Sequence, residues 1–522
     1  MKSPKGKKKN KERYVTIISL LLSIFSILFV VGGALTIYYF SKGYRLNISD
    51  REIKKTGVLT VQTEPSTAQL YINGDSIGRT PRSRTLDVGT HTVVVSKDGY
   101  REWMKNVEII EEKSTPLFPF LLLKEPAPSN VWKTEGTLEK YWISEDKNYF
   151  VFLLQDIDGQ YSLWTYRINT PLWNLNPNPI QILSLETNNI ELEISNNGLL
   201  AIARITEDEI QKSYIVELTK PITLDNLDPI EVLDASTYEI TWSKDNRHII
   251  MESNEEILSL DTSTTSILAD TTSILLSKEP ETEYLWSTDK EGFFYLLETL
   301  HLPEDKTYSY ALKQFQPDGT NPTYTIETVY FQKDKDYIKY YRENGDSYSE
   351  FTNSPHSTQT IGEITYFEVN QDANGVFLST DTSAYWYDIS SKRYQMVCAH
   401  PAQILSFSTD SKKVLFVNGN YVYVFTLDKE DGDHTEEIGT KKVVGLRKDE
   451  VSNMSWLSNS TYIHYIKDNT LHISEKDGDN QVDILSMDNI MMHTIKNNRE
   501  HIVTLETQEE NLLVEINQYK IK

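Results

Sequence analysis

The sequence predicts a mainly β protein: a small β-domain and a C-terminal seven- or eight-bladed β-propeller, carried behind one N-terminal transmembrane helix. Three observations predict it. An uncharged apolar run occupies residues 14–40. Short β-prone runs divided by turn residues fill residues 57–123. From residue 131 to 522 a strand–turn–strand unit recurs roughly every 40–50 residues, the spacing of propeller blades.

The N-terminal segment comes first. Met1–Arg13 holds seven cations and one acid, Glu12, and so carries +6. Tyr14–Phe40 then contains no charged residue. At about 1.5 Å per residue a helix of that length crosses a hydrocarbon core of about 30 Å with tilt. It ends in Tyr38, Tyr39 and Phe40, whose rings suit the water–lipid boundary. The run is longer than the apolar core of a cleaved signal peptide, and Gly32-Gly33-Ala34 followed by aromatics is a poor cut site. The expected order is a basic cytoplasmic tail (1–13), a transmembrane helix (14–40) and a juxtamembrane linker (41–56). Lys42, Arg45, Arg51, Lys54 and Lys55 soften the charge bias across the span. A long downstream body translocates largely regardless of charge, so the tail is expected inside.

Charge and cysteine content restrict the remainder. The net charge is −24, and setting aside the tail's +6 leaves −30 on the rest of the 522 residues. Such a body repels nucleic acid, so no nucleic-acid partner is expected. The single cysteine, Cys398, excludes an intramolecular disulfide, a Cys-rich zinc site and a lipidated cysteine before residue 41.

Residues 57–123 read as strands Val58–Gln62, Gln69–Ile72 and His91–Ser96, with a hairpin turn at Asn73-Gly74 and another turn at Asp98-Gly99. Six landmarks fall in order: Gly57-Val-Leu-Thr-Val, Glu64-Pro65-Ser-Thr-Ala68, Tyr71-Ile-Asn-Gly74, Ile77-Gly78-Arg-Thr80-Pro81, Val88-Gly89-Thr-His-Thr-Val and Lys97-Asp-Gly99-Tyr100. This pattern resembles the PEGA domain, although no glycine precedes Ala68 in the name-giving motif. The resemblance implies a small β-sandwich used as a spacer in envelope, surface-layer and receptor-like proteins of prokaryotes, with no catalytic residues. With only 13 residues ahead of the span, no kinase is expected on the inner side.

A linker over 124–130, rich in proline with the residues before it (Pro116, Pro119, Pro126, Pro128), is expected to separate this module from the repeated body. There the unit is an apolar strand end, a Ser or Asn, a polar turn and a second strand. The phased residues are Ser144, Ser195, Ser243, Ser287, Asn370 and Ser408, separated by 51, 48, 44, 83 and 38 positions. The 83-residue gap leaves room for a divergent unit near Tyr330–Tyr341, and weaker units follow near Ser455–Ser460 and Thr494–Arg499. Eight blades are favoured over seven. The Trp-Ser-x-Asp pattern resembles the WD40-like repeats of TolB-type propellers, lacking most of their proline and glycine. Trp242, Trp286 and Phe407 are expected to be buried between blades.

Chemistry is sparse. No Gly-x-Ser-x-Gly elbow or His-Glu-x-x-His occurs. His464 and His472 can meet across a hairpin, but paired strand residues account for them. Asp156-Ile-Asp158-Gly159, Asp428–Asp433 and Asp477-Gly-Asp479 lack EF-hand spacing and read as ordinary turns. The 31 tyrosines and nine tryptophans suit blade packing more than a binding face. No catalytic residue, cofactor or metal ligand is assigned. The expectation is a non-catalytic, single-pass, bacterial cell-envelope protein. The lipid bilayer is its partner through residues 14–40, and the outer body presents a propeller to an envelope protein or glycan. The alternatives are an enzyme with an active site in the propeller channel, and a TolB-like accessory to an envelope complex.

Overall fold

The computed structural model describes residues 22–34, 45–47, 52–169, 178–230, 238–263, 272–280, 282–302, 307–316, 324–334, 337–344, 347–350, 364–370, 372–381, 383–391, 393–428, 439–508 and 512–522. Residues 22–34 form a helix whose side chains are all exposed. No helix of the described residues is long and apolar enough to cross a membrane, so the transmembrane helix expected over 14–40 is not seen as such. Residues 14–21 and 35–40 lie outside the described residues. Within the stretch read as a juxtamembrane linker, Arg45–Asn47 pairs antiparallel with Glu52–Lys54.

The rest divides into two compact units, the first ending at Leu122 and the second beginning at Leu123. Besides the Arg45–Asn47/Glu52–Lys54 pair, the described residues of the first unit hold two sheets. One orders Arg82–Asp87, Thr56–Val61 and Ser114–Leu117, the last two parallel. The other orders Asp75–Arg79, Gln69–Ile72, Gly89–Ser96 and Trp103–Ile109. Their period-2 apolar residues form one core: Leu59 and Val61 from the first sheet, and Leu70, Ile72, Val93, Val95, Trp103 and Ile109 from the second. The expected β-sandwich is therefore present. Asn73 and Gly74 take φ of 51° and 88°, the left-handed pair that a tight two-residue hairpin requires.

The residue before Ala68 makes plain what the missing glycine costs. Thr67 takes a φ of 64°, a region that a β-branched side chain strongly disfavours. Its N–H bonds to the Thr80 carbonyl at 3.1 Å and holds it there. Thr67→Gly is expected to stabilise this domain by about 0.5–1 kcal/mol, the relief of strain exceeding the entropy that glycine adds to the unfolded chain. Urea denaturation of the two forms measures it.

The second unit is a ring of eight antiparallel sheets, counted among the described residues. Blade 1 covers residues 137–185, blade 2 190–217, blade 3 239–277, blade 4 282–350, blade 5 364–398, blade 6 402–447 and blade 7 451–486. Blade 8 joins Ile490–Ile495, His501–Gln508 and Leu513–Lys520 to a strand from the other end of the unit, Ala127–Glu135. First strands of neighbouring blades touch: Thr137–Ile143 with both Ile190–Ile194 and Ile490–Ile495, and Thr282–Thr288 with Ile364–Val369. Apolar clusters bridge successive blades. Val151 and Leu163 pack with Ala201 and Val216 between blades 1 and 2. Phe377 and Trp386 pack with Val414 and Phe416 between blades 5 and 6. Phe150 and Phe152 pack with Val503 and Val514 between blades 1 and 8. The cluster between blades 1 and 8 closes the ring.

Three sequence expectations change here. Residues 127–130, read as linker, already belong to the closing strand. Pro128 is tolerated because, among the described residues, this strand pairs only with Leu513–Lys520 and so is an edge strand. The gap between Ser287 and Asn370 hides no separate unit, since Tyr324–Asp334 and Tyr337–Asn344 extend the sheet of blade 4 to six strands. Of the three flanking aromatics, Trp242 is buried, while Trp286 and Phe407 are only half-buried.

Candidate functional site

The repeat is a turn between the first two strands of each blade. At its start one backbone N–H bonds across to the second strand: Ser144 to Tyr149, Ser195 to Leu200, Ser243 to His248, Asp289 to Phe293, Asn370 to Gly375, Ser408 to Lys413, Leu457 to Tyr462 and Lys496 to His501. The carbonyl of each starting residue accepts from the N–H three positions on. That third residue has positive φ in all eight copies: Lys147, Gly198, Asn246, Gly292, Ala373, Ser411, Ser460 and Arg499. The turn therefore occupies equivalent places around the ring. Blade 4 differs from the sequence expectation: its turn starts at Asp289, because the first strand runs on to Thr288. Ser287 is buried, but its hydroxyl lies 3.3 Å from the Val369 N–H of blade 5.

The recurring Ser-x-Asp has a local cause. Ser144 Oγ donates to Asp146 at 2.7 Å and accepts from Tyr149 N–H at 3.0 Å. Ser195 with Asn197, and Ser408 with Asp410, repeat the arrangement. A small hydroxyl here supplies bonds that the turn backbone otherwise lacks. In blade 3 His248 takes over Asp245, its Nδ1 at 2.5 Å, and Ser243 Oγ is left without a partner.

Neighbouring turns also bond to one another. Asp146 N–H donates to Asn196 O, Asn197 N–H to Asn246, Thr409 Oγ1 to Ser458 O, Ser458 Oγ to Asn497 O, and Asn497 N–H to Asn169 of blade 1. Lys244 reaches from blade 3 to Glu368 and the Val369 carbonyl of blade 5. Two indoles staple adjacent blades in the same register. Trp242 Nε1 donates to Glu193 O at 2.9 Å and Trp456 Nε1 to Ser406 O at 3.3 Å.

Several titratable groups of the ring lie out of their ordinary range. Burial pushes the Glu193 carboxyl up to about 7; Arg204, 3.7 Å away, opposes this, and Glu239 adds to it. His464 is pushed down to about 3 by burial, by His493 and by Lys147. His493 is pushed down to about 4 by burial and Lys147. The Lys147 ammonium is itself lowered by burial, against the pull of Glu145 and Asp146. The two imidazoles meet edge to face, centroids 5.8 Å apart, across blades 7 and 8.

His464 and His472 do not meet, as they pair with Ile473 and Tyr465 respectively and so fall one residue out of register. His472 stacks on Tyr465 and holds Asp483 at 2.9 Å. The His464–His493 contact was invisible to sequence reasoning because Leu457 and Lys496 stand where other units carry Ser, Asn or Asp. The acidic turns are ordinary: Asp156 caps Asp158 and Gln160 N–H at 2.9 Å each, and Asp477 caps Asp479. Residues 429–433 of the third acidic stretch lie outside the described residues. Among the described residues no group of three His, Cys, Asp or Glu side chains is placed to hold a metal ion.

Two blocks therefore define the class of protein: a small β-sandwich followed by a closed β-propeller. Residues 56–119 match the PEGA domain family. No curated protein matches the chain by sequence. Among solved structures, the chain is similar in outline to an oligogalacturonate lyase from Vibrio parahaemolyticus, at 9% identity over 74% of this chain and 98% of that one, with a TM-score of 0.36. It is also similar to Kluyveromyces lactis Hsv2p, at 11% identity over 74% and 98%, with a TM-score of 0.33. A third is the β-propeller domain of Cps50 (Swd1) from Myceliophteria thermophila, at 10% identity over 76% and 100%, with a TM-score of 0.32. The blade count and closure rest on the strand pairing above.

Proposed function

We propose that this protein is a non-catalytic, membrane-anchored component of a prokaryotic cell envelope. Residues 14–40 hold it in the bilayer, the basic tail is cytoplasmic, the PEGA domain acts as a spacer, and the propeller faces outward to a protein or glycan partner. The observation that carries this reading is the helix at 22–34. Leu22, Ile24, Phe25, Ile27, Leu28, Phe29, Val30 and Val31 are all exposed on it, from 47% to 74%. An apolar helix whose described side chains are all exposed is suited to lipid rather than water. The acidic body suits a solvated outer position.

Protease added to intact cells or spheroplasts is expected to degrade residues 41–522 and spare the N-terminal tail. A body protected in intact cells, yet digested after permeabilisation, overturns the orientation. A second reading, an enzyme with its active site in the channel, draws on Glu193, whose carboxyl is held near neutrality on an inner strand. Turnover that Glu193→Gln abolishes without loss of fold would favour it.

A further inference from the structure

The second and third strands of each blade meet in a hairpin tip, at the end of the strands away from the Ser-x-Asp turns. In blades 3, 5, 6 and 7 the described tip residues are polar or glycine: Asn254 and Glu255, Asp381, Gly419 and Asn420, Asp468 and Asn469. In blades 8, 1 and 2, which are consecutive around the ring, the tips carry Leu512, Ile157 and Ile210, exposed to 61%, 80% and 62%. These side chains add nothing to the turns, whose positive φ falls on Gly159, Asp208 and Glu209. Tyr421, placed in blade 6 as Ile210 is in blade 2, has the Arg447 guanidinium over its ring. Residues 303–306, at the tip of blade 4, lie outside the described residues. The three apolar tips are tied side by side. The Leu512 carbonyl accepts from Gly136 N–H at 3.0 Å where blade 1 begins, and Thr206 N–H donates to Asn189 O in the loop that leads from blade 1 to blade 2. The chain enters the ring at the other end of the strands, where Leu123 N–H bonds to Ile521 O and Ile521 N–H to Glu500 O.

Acids surround these side chains. Glu135, Asp156, Asp158, Asp208 and Glu209 are all exposed, and none has an ion-pair partner among the described residues. Lys133 and Lys212, each two positions in from a tip, are outnumbered. Single exposed apolar residues are ordinary, but three on adjacent hairpins form a surface that gains by being covered. The acids choose what covers it. They repel anionic lipid, nucleic acid and a second copy of a chain whose net charge is −24. They complement a cationic face with apolar pockets, which is protein chemistry. We propose that the hairpin tips of blades 8, 1 and 2 form a docking surface for a basic protein. Ile157, Ile210 and Leu512 enter its apolar pockets, and the surrounding carboxylates face its lysines and arginines. This rests on the reading above that the propeller is the part that meets a partner, and it selects protein over glycan.

The test is fluorescence anisotropy of three short labelled peptides against the full-length protein in phosphatidylcholine nanodiscs, with empty nanodiscs subtracted. One peptide alternates leucine and lysine, one leucine and glutamate, and one serine and lysine. The Leu/Lys peptide is expected to bind saturably, at least about tenfold tighter than either of the others, and more weakly as salt rises. Ile157→Ser/Ile210→Ser/Leu512→Ser should weaken its binding about tenfold or more. Ile274→Ser, an isoleucine exposed to 60% on the outer strand of blade 3, should leave it unchanged. Asp158→Asn/Asp208→Asn/Glu209→Gln should weaken binding to a similar degree, about tenfold, and flatten its salt dependence, which keeps the proposal testable if the serine variant fails to fold. Equal binding of the Leu/Glu or the Ser/Lys peptide, or a serine variant that folds and binds as well as the parent, would overturn the docking surface. So would a dimer of the full-length protein that the serine variant abolishes, since a second copy would then cover the tips. Peptide binding by a chain whose body proves protected in intact cells refutes the orientation alone, and loss of binding with the body outside refutes the docking surface alone.

Discussion

Deleting Ala127–Glu135 is expected to abolish cooperative folding of the propeller. This strand makes eight register pairs with Leu513–Lys520, from Ala127↔Lys520 to Glu135↔Leu513, and supplies Val131 and Trp132 to the cluster of Phe152, Val503 and Val514. Without it the outer face of blade 8 is bare and the ring loses the one element contributed from its far end. The effect exceeds any point substitution because pairing, packing and closure fail together, in a domain whose whole margin is about 5–15 kcal/mol. A fragment beginning at Leu123 should unfold in one sharp transition. A fragment beginning at residue 136 should give a broad transition and bind dyes specific for exposed apolar surface. A residue-136 fragment that unfolds as sharply as the residue-123 fragment would show that the ring does not depend on this strand.

The second large effect is at Trp242. Its indole is buried against Ile202, Ile240 and Ile249 and donates to the Glu193 carbonyl of the preceding blade, so one side chain both fills and staples a seam. Trp242→Ala should cost about 3–5 kcal/mol, the range for losing a large aromatic from a core. Trp242→Phe should recover most of the packing while leaving the Glu193 carbonyl short of a donor, at about 1 kcal/mol. Asp158→Ala, in an exposed hairpin turn, should cost well under 1 kcal/mol. Chemical denaturation of the three variants in parallel separates these values.

Much of the architecture could be read in the sequence, for reasons that can be named. Asn73-Gly74 announces its hairpin because both residues must take positive φ. The period near 45 residues announces blades because the same capped turn is needed after each first strand, and Ser-x-Asp caps it with the fewest atoms. Reading failed where another residue meets the same backbone demand. Leu457 and Lys496 begin the same turn without a capping hydroxyl, and Asn459 and Asn498, two positions on, accept from the N–H groups that follow. In blade 4 the strand runs one residue past the serine that looked phased, so the turn starts at Asp289. Pro128 looked like a linker because a proline signals an edge as readily as a break. The site was less legible than the fold. His464 and His493 lie 29 positions apart and come together only through the docking of two blades, which no local pattern encodes.

The claim on which the rest depends is that Ala127–Glu135 completes the last blade of the same chain. Ser129 and Gln518 are direct register partners, with Ser129 Oγ 3.1 Å from the Gln518 carbonyl. Paired strand residues stand about 4.5–5.5 Å apart between Cα atoms, within reach of a disulfide. With Cys398→Ser as background, Ser129→Cys/Gln518→Cys should oxidise to an intramolecular disulfide in the folded monomer and raise its resistance to denaturant. Free thiols after oxidation of the folded protein, or bridges formed only between chains, would contradict the closed ring.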